Sequence, residues 1–506
     1  MRRRPSVTRV QPEISTRAAV CAIALAAVLS HVVALGHGFI WLDHQDLEAG
    51  NALAAVAQWP GLFTHGFSLT GLYRPLTALS LSVDGLSGSP WVFHADNLLW
   101  HALAALALFG AAQALGLSRR AALFAASLFA VHPVGVEVVN AIAFRPELLL
   151  ATALFSAIWA HLKGRPVLAG LAVLAAGLVK ESGLVLAPLF LAIISLPPRP
   201  RPRAHVWALE GIGVTVALAL RLAFAPAWKS SFPSLSVGEV IGTRAAAFGK
   251  SMVRLLLPID PSFCDAFEVR TFVHPLALAG LAVGVAVAVY GLRRKGIALL
   301  FLVSLVPSLS LVPLPRFWSP HYLYVPAALL ACLVCEALAD RGSRQRLGLT
   351  LTIVALGMFS LWDSRRYSDD ESLFTPEVAA EPRCREAHFY LAEIQRKKGQ
   401  LEAAADGYQQ AATPVRGVLS FSSEPAALQN LGLVRMAQGK LDLAERALTQ
   451  ALQYPLSELD RRHAVHNLAA VATVQKNWER VETLLSAETA RPCAARIAAA
   501  QRPRLA

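Results

Sequence analysis

Charge is what this sequence has least of. Asp, Glu, Lys and Arg make up 16% of its 506 residues and apolar residues 55%, where ordinary soluble domains carry roughly 25% charge. That deficit excludes a soluble globular enzyme and predicts a chain that sits in lipid. Lysine is scarcer still, supplying nine of the 47 basic residues, and with Ala and Leu dominant the composition suggests a bacterial chain from a GC-rich genome. The six cysteines, Cys21, Cys264, Cys332, Cys335, Cys384 and Cys493, are too few and too scattered for a disulfide framework or a zinc ribbon. Cys332 and Cys335 have CxxC spacing but lie in the apolar run AALLACLVCEAL, where they read as small helix-packing residues without a redox role. Cys384 and Cys493 could pair if both face an oxidising compartment. The sequence also has no Gly-rich phosphate loop, no Gly-x-Ser-x-Gly elbow and no metal cluster of convincing spacing. No nucleotide, cofactor or structural metal is implied.

What is present is apolar runs separated by basic clusters. The net charge of +13 would suggest nucleic acid in a soluble protein, but here it falls mainly in short loops, which is the topogenic pattern of a membrane protein. Arg2, Arg3, Arg4, Arg9 and Arg17 precede the run Ala18 to Leu35, read as a retained anchor with its N-terminus in the cytoplasm because no clear small-residue cleavage site follows. A span needs about 20 apolar residues. Further candidates lie near 94–115, 119–133, 147–162, 166–179, 183–197, 205–225, 273–292, 297–313, 325–339 and 347–363, for about eleven spans in all. Arg119/Arg120, Lys163/Arg165, Arg199/Arg201/Arg203, Arg293/Arg294/Lys295 and Arg341/Arg344/Arg346 fall in alternate loops, all on the predicted cytoplasmic side.

After Asp363 acids, Gln and Lys return with helical periodicity. Segments aligned on Leu391, Leu431 and Leu468 repeat at spacings of 40 and 37, with Gly399 and Gly439 between paired helices, Ala404 and Ala444 at a close contact, and Tyr408 and Leu448 at a large packing position. The expected organisation is therefore all-α: a basic N-terminus (1–17), a polytopic membrane helix bundle (18–363), a linker (364–384), helical repeats (385–492) and a tail (493–506).

The opposite loops hold the chemistry-prone residues. GFIWLDHQDLEAGN, residues 38–51, carries Asp43, Asp46 and Glu48, the only acids between Glu13 and Asp84. Asp43 is the first candidate for a general base, with Asp46 or Glu48 in reserve. YRPL contributes Arg74. VHPVGVEVVNAIAFRPELLLA packs His132, Glu137, Arg145 and Glu147 into 16 residues, an expensive grouping at a span boundary unless the charges pair or serve a site. Lys180 and Glu181 interrupt another apolar run, where an ion pair between them would satisfy both. LPRFWSPHYLYVP adds Arg316 and His321. A carboxylate could take a proton from an acceptor hydroxyl while Arg and Lys stabilise a phosphate leaving group, the chemistry of sugar transfer from a lipid phosphate.

The order of first-loop acid, YRPL, HP-x-x-x-E with R-x-E, KESG, HYLYVP and C-terminal repeats resembles the transmembrane and tetratricopeptide repeat-containing O-mannosyltransferases of the GT-C class, over about residues 17–490. The resemblance implies inverting transfer from a polyisoprenyl-phosphate sugar, typically mannose, to a protein hydroxyl. It makes Asp43 the base and places Arg74, His132, Glu137, Arg145, Glu147, Lys180, Glu181 and His321 in substrate binding. The chain departs from the family pattern at Leu42-Asp43, where paired acids are usual, and at His321, where an arginine is usual. The expected setting is a bacterial inner membrane with site and repeats periplasmic, or the lumenal ER face if the chain is eukaryotic, the repeats taking a protein acceptor or partner. Rival readings are a flippase or transporter of lipid-linked sugars and a non-catalytic anchored scaffold.

Overall fold

In a computed structural model the described residues are 15–44, 47, 59–64, 72–197, 203–225, 235–264, 266–294, 296–309 and 316–486. They form two compact units. The first comprises Met1–Pro261, Arg270–Leu314 and Trp318–Asp369, and the second Ser262–Val269, Pro315–Phe317 and Asp370–Ala506.

The first unit is a bundle of α1 (Thr16–Leu29), α2 (Pro75–Gly85), α3 (Pro90–Ala114), α4 (Arg119–Ala130), α5 (Gly135–Asn140), α6 (Arg145–Leu162), α7 (Pro166–Val179), α8 (Gly183–Ile194), α9 (Ala204–Phe224), α10 (Val237–Leu256), α11 (Pro275–Arg294), α12 (Gly296–Ser304), α13 (Tyr324–Leu338) and α14 (Ser343–Ser364). Local chemistry sets their starts. Proline stands in the first turn of α2, α3, α6 and α7, where its fixed φ suits the helix and its missing N–H costs nothing. The Ser118 hydroxyl accepts from the Ala121 N–H at the start of α4, an N-cap that satisfies one orphan donor.

By length and composition six helical stretches among the described residues can cross a membrane: Pro90–Ala114, Ile142–Leu162, Ala204–Phe224, Pro275–Arg293, Pro320–Leu338 and Ser343–Ser368. Four more are apolar but shorter: Thr16–Leu29, Pro166–Val179, Gly183–Ile194 and Gly296–Leu309. The protein is thus an integral membrane protein. Helices α3, α6 and α13 form the inside of the bundle, whereas 17–22% of the α9, α11 and α14 windows is buried, leaving aliphatic surface for lipid. The inner contacts are rich in alanine, including Ala104, Ala105, Ala121, Ala122, Ala125 and Ala126. Lipid tails are as apolar as leucine, so these helices gain by close backbone approach rather than by escape from water. Hydropathy alone does not mark α10, because Arg244, Lys250 and Arg254 break its apolar run. It forms as an amphipathic helix with a Ser236–Glu239 capping box.

The second unit is built from α15 (Asp370–Ala380), α16 (Arg385–Lys397), α17 (Leu401–Ala412), α18 (Glu424–Ala437), α19 (Leu441–Ala451) and α20 (Glu458–Val474), with a two-residue antiparallel ladder between β1 (Phe267–Glu268) and β2 (Val418–Leu419). Helices pair as hairpins, α16 with α17 and α18 with α19. Gly399 and Gly439 turn each pair at φ +75°, a left-handed conformation that glycine adopts without penalty. The third turn lacks glycine and Lys476 takes that conformation at φ 58°. Ala404, Ala444, Tyr408 and Leu448 are fully buried between helices.

Cysteine pairing differs from expectation. Cys384 bonds Cys264, while Cys493 lies outside the described residues. The cause is the β1–β2 ladder together with Glu377, whose carboxylate accepts from the Ser262 hydroxyl at 2.8 Å and the Cys264 N–H at 3.2 Å. These contacts bring a segment 120 residues away against Cys384, a proximity that sequence spacing could not indicate. Because the bond closes so long a loop, Cys384→Ser should destabilise the second unit by about 2–5 kcal/mol. Melting of the purified protein in detergent checks this: dithiothreitol should lower the wild-type transition and leave the variant unchanged.

Candidate active site

Five connections of the first unit converge: residues 37–44, 72–75, 132–147, 180–183 and 318–324. At one end the Asp43 carboxylate is fully buried. Its Oδ1 accepts from the Ala143 N–H at 2.8 Å, and its Oδ2 from the N–H groups of Ile142 at 3.3 Å and Ile40 at 3.4 Å. It therefore holds the turn Ile142–Phe144 that precedes α6. Trp41 packs edge-on against Phe144, centroids 5.1 Å apart, and Phe144 stacks on His321 at 4.3 Å.

From His321 the polar chain continues. Both oxygens of Glu137, on α5, are engaged there: Oε2 accepts from the His321 N–H at 3.0 Å, and Oε1 meets the Ser319 hydroxyl at 3.1 Å and His321 Nδ1 at 3.2 Å. The adjoining Tyr322 ring lies under Lys180 Nζ at 5.7 Å. Lys180 forms a buried ion pair with Glu147, on the first turn of α6. Glu181 forms a two-pronged pair with Arg74, Nη2 to Oε1 at 2.6 Å and Nε to Oε2 at 3.0 Å. Arg74 also feels the charge of Glu147, so these pairs belong to one electrostatic cluster.

The expected ion pair between Lys180 and Glu181 does not form. Lys180 ends α7 in extended backbone, φ −153° and ψ 146°, which sends adjacent side chains to opposite sides. Each finds a partner from another element instead. The Glu181 carboxyl would be pushed up by burial, but the Arg74 charge and its hydrogen bonds override this and hold it at about 2. A carboxyl lowered from its ordinary 4.5 contributes stability that is complete above that value and is lost as pH falls toward 2, where the folded pair finally takes up a proton. The melting temperature of wild type should fall more steeply between pH 4.5 and 2 than that of Glu181→Gln; parallel curves would remove the pair from the stability of this site.

Arg145 departs from the phosphate-contact expectation. Its guanidinium is fully buried, with Nη1 donating to Asp84 at 2.5 Å, Asp96 at 2.9 Å and Ser80 at 3.0 Å, Nε to Asn97 at 2.7 Å and Nη2 to the Phe93 carbonyl at 2.8 Å. All three nitrogens are engaged by protein acceptors, so Arg145 ties α2 and α3 to the start of α6. His132 is similarly occupied. Its Nδ1 accepts from the Val134 N–H at 3.2 Å, leaving Nε2–H to donate to the Leu255 carbonyl at 3.1 Å, which fixes a neutral ring. The four ionisable groups of the 132–147 loop thus pair with four different elements rather than with one another. Arg316 belongs to the second unit, where it pairs with Glu386. Asp46 and Glu48 lie outside the described residues.

Sequence reasoning missed Asp84, Asp96 and Asn97, the cage around Arg145. The available signal was two isolated acids at the edges of apolar runs, each needing a partner at a membrane boundary. Tyr324, three residues after His321, is buried with its hydroxyl 2.6 Å from His101 Nδ1. Among the described residues no group of His, Cys, Asp and Glu could hold a metal ion.

Comparison with known proteins bears on this arrangement. No family model matches the chain. A stretch of 139 residues is 32% identical to Protein O-mannosyl-transferase Tmtc2 of Drosophila melanogaster, covering 25% of this chain and 14% of that protein. The chain is similar to protein O-mannosyl-transferases. Tmtc1 of Drosophila melanogaster is 30% identical over 156 residues, covering 29% of this chain and 18% of its own length. TMTC3 of Mus musculus is 31% identical over 129 residues, covering 24% and 14%. The resemblance read from motif order is borne out, and each match spans less than a fifth of the relative's length. Among solved structures, the Archaeoglobus fulgidus oligosaccharyltransferase aligns at a TM-score of 0.44 and 15% identity, over 77% of this chain and 59% of that one.

Proposed function

We propose that the protein transfers a sugar, mannose by resemblance to its relatives, from a polyisoprenyl-phosphate carrier to a hydroxyl of a protein on the outer face of the membrane. The observation that carries this reading is the band of charged groups and intervening aromatic rings from Asp43 through His321 and Lys180 to Arg74. It gathers one buried, backbone-held carboxylate and several cations at the ends of membrane helices, each brought from a different connection.

In the proposed reaction the acceptor oxygen attacks C1 of the sugar as the C1–O bond to phosphate breaks. Asp43 takes the hydroxyl proton, and the carrier leaves as its phosphate, with inversion at C1. Charge on the departing phosphate is balanced by Arg74, Lys180 and His321, which exchange carboxylate partners for phosphate oxygens. Glu137, Glu147 and Glu181 hold those cations in place while the site is empty, and His132 and Arg145 position the loops. The eleven spans expected from the sequence, with a cytoplasmic N-terminus and basic loops on that side, would put this band and the repeat unit on the periplasmic side. The Cys264–Cys384 bond supports that side, because such bonds persist in oxidising compartments. The repeats, read as tetratricopeptide-like, present the acceptor.

The test is incubation of detergent-purified protein with radiolabelled polyprenyl-phosphate mannose and a membrane-protein extract. Label should become protein-bound and resist lipid extraction. Label that only crosses the bilayer of reconstituted vesicles would favour a flippase, and no transfer from any polyprenyl-phosphate sugar would favour a scaffold.

A further inference from the structure

Each cation placed in the band above already faces a carboxylate. Arg254 is different. It lies on the last turn of α10 with its side chain 7% exposed, and neither Nε nor Nη1 has a hydrogen-bond partner. Four described arginines have a buried Nε without a partner, and Arg254 alone also has a terminal nitrogen in that state. The nearest acid is Asp260, whose Oδ2 stands 3.8 Å from Nη1, beyond hydrogen-bond length, on a side chain that is itself 61% exposed. A buried guanidinium with unfilled donors is costly, and such a group calls for an explanation, a bound anion among them.

The surroundings say what that ligand is. On the site side, His132 donates to the carbonyl of Leu255, the next residue, and its ring feels the Arg254 charge. One turn back, Lys250 lies on the same face as Arg254, with Nζ 3.9 Å from the centroid of the Trp318 ring, while Ser251 accepts from the Trp318 indole at 3.0 Å. Trp318 leads directly into Ser319 and His321, the residues bound to Glu137. On the other side is an exposed aliphatic ridge: Val253, Leu256, Leu257 and Ile259 are each 59–73% exposed. A cation with a planar fork of unused donors, adjoining lipid-facing aliphatic surface and a polar site, matches an anion that carries a hydrocarbon chain.

We infer that Arg254 is the anchor for the phosphate of the lipid-linked donor, its nitrogens binding phosphate oxygens while the isoprenoid chain lies along Val253, Leu256, Leu257 and Ile259. This rests on the proposed function and assigns the resting phosphate contact to a residue that already has unfilled donors. The chain then leaves toward lipid, and the sugar end points along Trp318 to His321.

Binding is measured apart from catalysis, by thermal shift of the full chain in detergent with undecaprenyl phosphate, which carries no sugar. Wild type should shift upward with the carrier. Arg254→Gln should require at least tenfold more carrier for the same shift, and Arg254→Lys, which keeps the charge without the fork, should fall between. If Arg254→Gln fails to fold, Leu257→Asn on the exposed ridge serves instead, and it should weaken binding of undecaprenyl phosphate without changing the ligand-free transition. Equal shifts in wild type and Arg254→Gln, or no shift in wild type, would overturn the assignment. An equal Arg254-dependent shift with phosphatidylglycerol would also overturn it, giving the site to bulk phospholipid. Arg254-dependent binding without sugar transfer would leave the anchor standing and remove the proposed reaction; transfer with Arg254→Gln kinetics equal to wild type would do the reverse.

Discussion

Asp43→Asn is expected to lower sugar transfer by roughly 10²- to 10⁴-fold, the usual contribution of a positioned general base. The side chain changes by one heavy atom and its volume is kept, so gross folding should survive. Binding should survive as well, because the cations are held by Glu137, Glu147 and Glu181. Michaelis constants for donor and acceptor near wild type with a collapsed kcat are therefore the pattern to look for. The amide cannot accept on both sides, so one of the three N–H groups from Ile40, Ile142 and Ala143 loses its partner, at about 1–3 kcal/mol. Asp43→Ser separates that effect from chemistry. If Asn and Ser both transfer at the wild-type rate, Asp43 serves only to fix the Ile142–Phe144 turn and the base lies elsewhere.

Arg145→Met should act on stability rather than on chemistry. Removing one partner of a buried ionic cluster costs about 3–5 kcal/mol, because the remaining charge is left uncompensated. Here two carboxylates, Asp84 and Asp96, would lose the same guanidinium. Asn97 and the Phe93 carbonyl would lose their donors with them. Yield of folded protein after detergent extraction should drop sharply, and the double change Asp84→Asn with Arg145→Met should recover part of it. Arg145→Lys should rescue poorly, since a point charge cannot span acceptors that lie around a fork. Near-normal yield for Arg145→Met would mean that the cage is solvated and contributes little.

The membrane helices were legible because about 20 apolar residues bounded by arginines is a signal contained in one stretch of chain. The polar residues facing the site were legible for the same reason: Asp43, Glu137, Lys180 and His321 are each conspicuous against apolar neighbours. Their partners were not. Arg145 binds acids 61 and 49 residues earlier, and Lys180 reaches back 33 residues to Glu147 while its neighbour Glu181 takes Arg74. Spacing along the chain carries no information about which helices become neighbours. Helix α10 was hidden by its own charges, which lower hydropathy while leaving the 3.6-residue period intact. The Cys264–Cys384 bond was hidden because the segment that supplies Cys264 packs in the second unit, remote in sequence from the helices it joins.

The most direct test of the central claim is mass spectrometry of acceptor proteins after reaction with polyprenyl-phosphate mannose, with wild type and Asp43→Asn in parallel. Wild type should place a hexose on Ser or Thr hydroxyls, and the folded variant should leave the same peptides unmodified. Hexose-modified peptides at equal occupancy in both, or none with wild type, would contradict carboxylate-driven sugar transfer at this site.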